Sequence, residues 1–197
     1  MKSNFKFITA AAAMAVFGLT ISASGSARAA DYVIDTKGTH ASINFRIKHL
    51  GYSWLTGRFD KFSGNFSFDE KAPADTKIKV EIDTASINSN NATRDKHIRS
   101  GDFLDVAKFP KASFESTSLE VTGKSAVVHG KLTLHGVTRD IAIKADHVGG
   151  GKDPWGGFRQ GFVGTTKISL ADFGINYNLG PASKELELDL NIEGIRQ

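Results

Sequence analysis

Ionisable side chains crowd into residues 94–99, which read RDKHIR. Histidine beside aspartate can transfer protons, and arginine can bind an anionic group. Asp95 and His97, however, stand two positions apart, and residues at that spacing on a helix do not face each other. The chain also contains no G-x-S-x-G nucleophile elbow and no cysteine. We therefore predict no catalytic residue and a protein that is not an enzyme.

A metal site is not indicated by this cluster either. The chain contains no H-E-x-x-H, and His97 has no partner three or four positions further on that would give two ligands on one helix face. Two interpretations stay open: a charged outer face on a capping helix, or a polar lid that contacts a ligand's head group. Under the second interpretation the head-group candidates are Arg94, His97 and Arg99.

His49 is the fourth head-group candidate. It continues the alternation of Ile43, Phe45 and Ile47, so it is predicted on the inward face at a strand end. A buried polar group there needs a hydrogen-bond partner. Either the fold supplies that partner, or His49 is a polar anchor at the mouth of an apolar cavity. The sequence does not fix whether His49 and residues 94–99 lie at the same end of the fold.

The residues that must position the cluster predict two short helices over 91–109. Asn90 or Asn91 can cap the first helix, and Gly101 suits its end. A second helix would then end before Pro110. The predicted insert would lie across one end of the fold.

Outside the insert, apolar and polar residues alternate one by one, which is the pattern of strands with one buried face. In the weakest segment Phe114 and Leu119 differ in parity, which predicts a bulge. Many one-sided antiparallel strands in one domain predict a sandwich or a closed barrel. The alternating segments are 32–35, 41–47, 62–68, 78–82, 111–121, 128–134, 141–145, 162–170 and 186–192.

Three glycines favour the barrel. Gly64, Gly130 and Gly164 fall on the apolar face in mid-strand, where glycine weakens a strand. They either let strands bend at barrel corners or leave space inside for a ligand. In the second case the inward residues would bind that ligand: Ile43, Phe45, Ile47, His49, Phe66, Val80, Gly130, Leu132, Ile143, Gly164, Ile168 and Leu188.

The first 29 residues predict a secretory signal peptide. Lys2 and Lys6 precede an apolar run, and Ala27-Arg28-Ala29 has the small-x-small form of a cleavage site. The remaining residues, 30–197, form one predicted domain with 22 basic and 21 acidic residues, because the leader contains three bases and no acid. This balance disfavours nucleic-acid binding. Without cysteine, the exported domain depends on core packing alone.

Five collinear segments resemble the YceI family of exported, lipocalin-like proteins, also called polyisoprenoid-binding proteins. They are HASINFRIKHLGYSWLTGRF at 40–59, RDKHIRSGDFLDVAKFPKASF at 94–114, GKLTLHGVTR at 130–139, DPWGGFRQGF at 153–162 and ADFGI at 171–175. The chain departs from the family pattern at Ala41, where serine is more frequent, and at Leu170-Ala171, where an arginine-containing pair is frequent. The resemblance implies an eight-stranded antiparallel barrel with helices near one end, and an apolar tunnel. It implies no catalytic residue.

Three functions follow as hypotheses. The first is a periplasmic carrier or sequestering protein for an isoprenoid or similar long-chain amphiphile. The second is a periplasmic enzyme acting on a bound lipid or quinone, with His49 as acid or base. The third is a small outer-membrane barrel, which the three tyrosines and two tryptophans would poorly supply with aromatic girdles. No metal or cofactor is expected beyond a bound isoprenoid or quinone-like lipid, and transient membrane contact and a homodimer are left open.

Overall fold

The computed structural model describes residues 29–197 of the chain. These residues form eleven strands, and all pairings between them are antiparallel. Eight of them, β1, β4, β5, β7, β8, β9, β10 and β11, pair in that order, and β11 pairs back with β1. The predicted eight-stranded antiparallel barrel is therefore confirmed. The strands are β1 (Ala30–Ile34), β2 (Ser42–His49), β3 (Ser53–Phe59), β4 (Phe62–Phe68), β5 (Lys77–Asp83), β6 (Ile87–Asn88), β7 (Lys111–Thr122), β8 (Ser125–Leu134), β9 (Val137–Lys152), β10 (Phe158–Ser169) and β11 (Glu185–Arg196).

Three additional strands extend one edge of the ring. β2 pairs with residues 186–191 of β11, and β1 pairs with residues 194–196, so β1 and β2 follow each other along the same edge. β3 then pairs with β2, and β6 pairs with β3. β3 and β6 were not predicted from the sequence. β6 has only two residues, which is too short for any periodicity to register.

The inward side chains form the core. Ile43 and Phe45 of β2 are buried, whereas Arg46 between the inward positions is exposed. Burying one such apolar side chain contributes roughly 1.5–3 kcal/mol. The sheet closes on itself, so the apolar faces of all its strands meet inside one barrel.

The predicted bulge in β7 is confirmed. The pairing of β7 with β8 shifts register between Ser116 and Ser118. One extra residue on β7 turns Phe114 and Leu119 to the same side despite their different parity. Both side chains belong to the core.

Only one of the two predicted helices is present in the described residues. Helix α1 (Ala92–Ile98) is capped by Asn91, whose side-chain oxygen accepts a hydrogen bond from the backbone N–H of Arg94 at 3.0 Å. The prediction of a second helix before Pro110 is wrong. The chain there forms successive turns, because Asp105 adopts a left-handed φ of 42°, which interrupts a right-handed helix.

The strand connections define two ends of the barrel. The helical end carries α1, the β2–β3 turn and residues 170–184, and the loop end carries loops 69–76, 123–124 and 153–157. The predicted signal peptide at 1–29 lies almost wholly outside the described residues. Within residues 29–197 no helix combines the length and apolar character of a membrane span.

Candidate ligand-binding cavities

Two apolar cavities lie end to end inside the barrel. The loop-end cavity has a volume of about 590 Å³, and the helical-end cavity has a volume of about 420 Å³. Both volumes fall in the range of small-molecule sites. The cavities meet at a waist of four side chains that line both of them: Ile43, Ile82, Leu132 and Leu188.

Most residues predicted to contact a ligand line these cavities. The waist residues Ile43, Leu132 and Leu188 line both. Phe66, Val80, Ile143 and Gly164 line the loop-end cavity, and Phe45, Ile47, His49 and Ile168 line the helical-end cavity. Gly130 lines neither of them. Whether the lining residues bind a ligand stays a prediction.

The three inward glycines do not leave open space. A Cβ atom at Gly130 would overlap the ring of Phe114 and lie 2.6 Å from the carbonyl oxygen of Glu115. At Gly64 it would lie 2.5 Å from the carbonyl oxygen of Lys79 and 2.8 Å from Ile34. Close approach of neighbouring strands and side chains therefore explains these two glycines. Gly164 is less crowded, since its nearest neighbour would be a methyl group of Ile143 at 3.1 Å.

His49 and helix α1 lie at the same end of the barrel. His49, Arg94 and His97 all line the helical-end cavity, which the sequence alone could not establish. His49 is exposed at the mouth, so water can solvate its ring, and the expectation of a buried inward histidine is corrected. The reason is its position as the last residue of β2, beyond the packed part of the strand.

Helix α1 is held to β6 by a polar cluster. The buried carboxylate of Asp95 accepts hydrogen bonds from the backbone N–H and the hydroxyl of Ser89, at 2.9 and 2.5 Å. Arg94 donates from Nε to the Ser89 hydroxyl at 2.7 Å. Arg99 does not line the cavity. It donates to the backbone carbonyls of Ala85 and Ile87 and so connects the end of α1 to the chain at β6.

Aromatic side chains surround His97 at the mouth. Its ring packs edge-on against Phe103 and Tyr177, with centroids 5.1 and 5.2 Å away. Its Nε2 atom lies 2.8 Å from a carboxylate oxygen of Asp102. Tyr177 and Phe103 were missed as site residues, because they lie in irregular segments where no periodicity marks an inward position.

Comparison with known proteins identifies the family. A family model described as the YceI-like domain matches residues 32–194. The chain belongs to the YceI family. This confirms the resemblance seen in the five collinear segments.

Relatives of this YceI chain match over most of their lengths. A UPF0312 protein of Pseudomonas aeruginosa is 58% identical over 180 residues, which cover 91% of this chain and 94% of the relative. A solved Campylobacter jejuni YceI protein is 31% identical, with a TM-score of 0.69 over 77% of this chain and 90% of that one. A polyisoprenoid binding domain from Saccharophagus degradans, 19% identical, has the same fold with a TM-score of 0.65 over 86% and 99% of the two chains.

The loop end of this YceI barrel contains a polar group that was not predicted from the sequence. His147 lies on the inward face of β9 and lines the loop-end cavity, and its Nε2 atom is 2.6 Å from Oε1 of Gln160. The Gln160 amide donates to a carboxylate oxygen of Glu70 at 3.1 Å. The parity of Ile143 and Ala145 extends to His147, so this inward position could have been read from the sequence.

A second charged cluster closes the barrel outside the cavities. Asp35, His40 and Glu193 bring potential metal-ligand atoms within 4.8 Å of one another. Arg159 already supplies a cation there, since its Nη1 atom lies 2.7 Å from Asp35 and 2.5 Å from Glu193. The hydrogen bonds that the Arg159 guanidinium donates to Asp35 and Glu193 raise its pKa further above the usual value. The arrangement is an ion-pair network joining β10 and β11 to the end of β1.

Proposed function

We propose that this YceI protein is a carrier or sequestering protein that binds an isoprenoid or similar long-chain amphiphile inside the barrel. The observation that carries the proposal is the pair of apolar cavities meeting at the waist. Their walls are the inward faces of the strands, so an apolar chain would be withdrawn from water along its length. The polyisoprenoid binding domain of Saccharophagus degradans, which has the same fold, supports this class of ligand.

The helical mouth suits an anionic head group. Arg94 lines the cavity beside His49 and His97, and arginine pairs well with carboxylate or phosphate oxygens. Its contacts with Ser89 hold the guanidinium in place, which lowers the entropy lost on binding. A phosphate-bearing head would lie here while the tail extends towards the waist.

The arrangement of ionisable groups favours binding over catalysis. Asp95 is buried and accepts two hydrogen bonds from Ser89, and His97 pairs with Asp102. His49 is exposed at the mouth, where water reaches its ring, and not in a site that excludes water. These groups position a helix and frame an opening, so we propose no chemical step.

We also propose that the protein acts in the periplasm after export through the predicted leader. The outer faces of the strands carry cross-strand ion pairs, including Lys79 with Glu115 at 2.9 Å and Lys131 with Asp140 at 3.0 Å. An outer-membrane barrel needs an apolar band there. The charged outer face therefore favours a carrier over a barrel embedded in lipid.

Native mass spectrometry of the protein purified from the periplasm tests the proposal. We expect a bound mass that organic extraction releases, and we expect the extracted protein to take up added geranylgeraniol in a one-to-one complex. A protein that carries no lipid and does not bind geranylgeraniol would contradict the carrier function. The Leu188→Trp variant, which fills the waist, serves as a control with reduced uptake.

A further inference from the structure

We propose that the loop-end cavity contains a site for an uncharged, oxygen-bearing head group, such as the hydroxyl of a long-chain isoprenoid alcohol, and that His147 contacts it. The inference rests on the proposed function, because it assigns an end of the barrel and a chemistry to the ligand's head. It concerns the end opposite to His49 and Arg94.

The hydrogen bonds behind His147 fix its tautomer. An ionised Glu70 carboxylate can only accept, so the Gln160 amide nitrogen must face it, and the Gln160 carbonyl oxygen must face His147. His147 therefore donates from Nε2. In the neutral ring Nδ1 then carries a lone pair, which makes His147 a hydrogen-bond acceptor for a ligand in the cavity.

The surroundings keep this acceptor in a fixed orientation. Gln160 is only 2% exposed, and a Cβ atom at Gly150 would overlap its amide, so glycine at 150 provides the room that Gln160 occupies. The His147 ring packs against Phe68 and Phe162, with centroids 5.5 and 5.0 Å away. A hydrogen bond formed in such apolar surroundings is stronger than one in water.

Thr76 supplies a second, independent sign of a ligand. It lines the same cavity, is 6% exposed, and its hydroxyl is the one buried side-chain polar atom in the described residues without a hydrogen-bond partner. Leaving a buried hydroxyl unpaired is costly. Rotation about its Cα–Cβ bond exchanges the hydroxyl and the methyl group, so a head group in the cavity can become the missing partner.

An alcohol matches these groups better than an anion does. An alcohol can donate to Nδ1 of His147 and accept from Thr76, whereas an ionised phosphate cannot donate to Nδ1. The loop-end lining also includes the acidic residues Glu70 and Asp146 against one base, Lys124. The excess of negative charge disfavours an anionic head, which the Arg94 end suits.

Three ligands with the same tail separate the head from the chain: farnesol, farnesyl phosphate and farnesene, which has no polar head. Dissociation constants for each are measured with His147→Phe and Thr76→Val in the full mature protein. We expect both variants to bind farnesol about 3- to 10-fold more weakly. Farnesene and farnesyl phosphate should change less than about twofold, because neither ligand uses the lost hydrogen bonds. His129→Phe, on the outer face where His129 pairs with Glu120, is the matched control.

The outcomes separate this inference from the carrier function. If the unmodified protein binds none of the three ligands, the carrier function itself fails. If it binds them but His147→Phe and Thr76→Val leave the farnesol-to-farnesene ratio unchanged, the loop-end site is wrong. A loss of farnesol binding in His49→Phe in place of His147→Phe would likewise overturn it, by moving the head group to the helical end. If His147→Phe does not fold, Thr76→Val still tests the proposal, because this substitution removes only an unpaired hydroxyl.

Nitrogen-15 chemical shifts of the His147 ring provide a readout independent of affinity. When the ring is neutral, it should carry its proton on Nε2, and the Nδ1 resonance should move when farnesol is added but not when farnesene is added. Gln160→Met should mix the tautomers, because Gln160 acts only by positioning His147. An Nδ1-protonated ring in the unmodified protein would overturn the proposal.

Discussion

The Nη1 atom of Arg159 lies 2.7 Å from a carboxylate oxygen of Asp35, although the two residues are 124 positions apart. Asp35 follows β1, and Arg159 lies on β10, with β11 between these strands. β1 pairs with β11 through only three residues, from Tyr32 to Ile34, so the barrel closes along a short seam. The ion pair spans that seam and is nearly shielded from water on the Asp35 side.

Stability should fall in acid because of Asp35. The hydrogen bonds from Arg159, then His40 and the backbone of Gly38, lower the pKa of Asp35 to about 2. The folded pKa is below the unfolded value of about 3.9, so the ionised carboxylate stabilises the fold above about pH 4, and this stabilisation is lost as the pH falls towards 2. Asp35→Asn should reduce the free energy of unfolding at neutral pH by about 1–2 kcal/mol, after allowance for solvent screening.

Urea titrations at several pH values check this prediction. The difference between the unmodified protein and Asp35→Asn should shrink between pH 4 and pH 2. Asp31→Asn, an exposed carboxylate on β1, is the matched control and should change stability little. A difference between the unmodified protein and Asp35→Asn that does not vary with pH would show that packing, and not ionisation, accounts for the role of Asp35.

Substitution of Gly130 should destabilise the fold without revealing a binding role. Because Cβ at 130 would overlap Phe114 and approach the Glu115 carbonyl oxygen, Gly130→Leu should lower the free energy of unfolding by about 1–3 kcal/mol or more. Gly164→Val projects into the loop-end cavity and should reduce geranylgeraniol uptake at a smaller cost in stability. Thermal unfolding and native mass spectrometry of both variants measure the two effects. A stable Gly130→Leu protein would refute the close-packing explanation.

The alternation of residues predicted most of the barrel because a strand with one buried face needs an inward apolar residue at every second position. The same reasoning located the β7 bulge from Phe114 and Leu119. It did not locate β3, because only Leu55 and Phe59 are apolar on its inward side and the large apolar Trp54 lies on its exposed side, which obscures the alternation. The prediction of a second helix was wrong because of the backbone conformation of Asp105, which residue types alone do not reveal.

The cavity lining was predictable on the strands and, for Arg94 and His97, on helix α1, but not in the irregular segments. Inward parity correctly indicated cavity positions such as Phe66 and Ile168. Tyr177 and Thr76 lie in irregular segments, and their approach to the cavities depends on how the chain crosses the barrel ends. Arg99 shows the converse: its charge resembled that of Arg94, but its position five residues later, at the C-cap of α1, directs its hydrogen bonds to Ala85 and Ile87.

His49→Ala should weaken binding of an anionic ligand only slightly. His49 is exposed at the helical mouth, so its removal leaves no buried partner unpaired, and the expected loss is about 0.5–1 kcal/mol. Farnesyl phosphate should be affected, and farnesene should not. Isothermal titration calorimetry with both ligands measures the difference, and Lys48→Ala, on the outward side of β2, is the control. Equal losses for the two ligands would exclude a head-group role for His49.

The leader prediction concerns export. Processing after Ala29 would produce a mature protein that begins near Ala30, the first residue of β1. Ala30 pairs with Phe68 of β4, so cleavage further along the chain would shorten the pairing of β1 with β4. Amino-terminal sequencing of protein from the periplasmic fraction checks the boundary. Recovery of uncleaved protein in the cytoplasm, or a requirement for detergent during extraction, would contradict the prediction.

The last prediction concerns the length of the ligand, because a waist separates the two cavities. A short chain fits within one cavity, whereas a long chain must pass between Ile43, Ile82, Leu132 and Leu188. Leu132→Phe enlarges a waist side chain and should obstruct that passage, at an expected cost of about 1–3 kcal/mol in stability. Geraniol should therefore bind the variant as well as it binds the unmodified protein, whereas geranylgeraniol should bind at least about tenfold more weakly, a loss of about 1.4 kcal/mol.

Competition titrations with the two alcohols measure the ratio, and Leu134→Phe, in the core but beyond the waist on the helical side, is the control. If both alcohols lose affinity equally in Leu132→Phe, long chains do not cross the waist, and the two cavities act as separate sites.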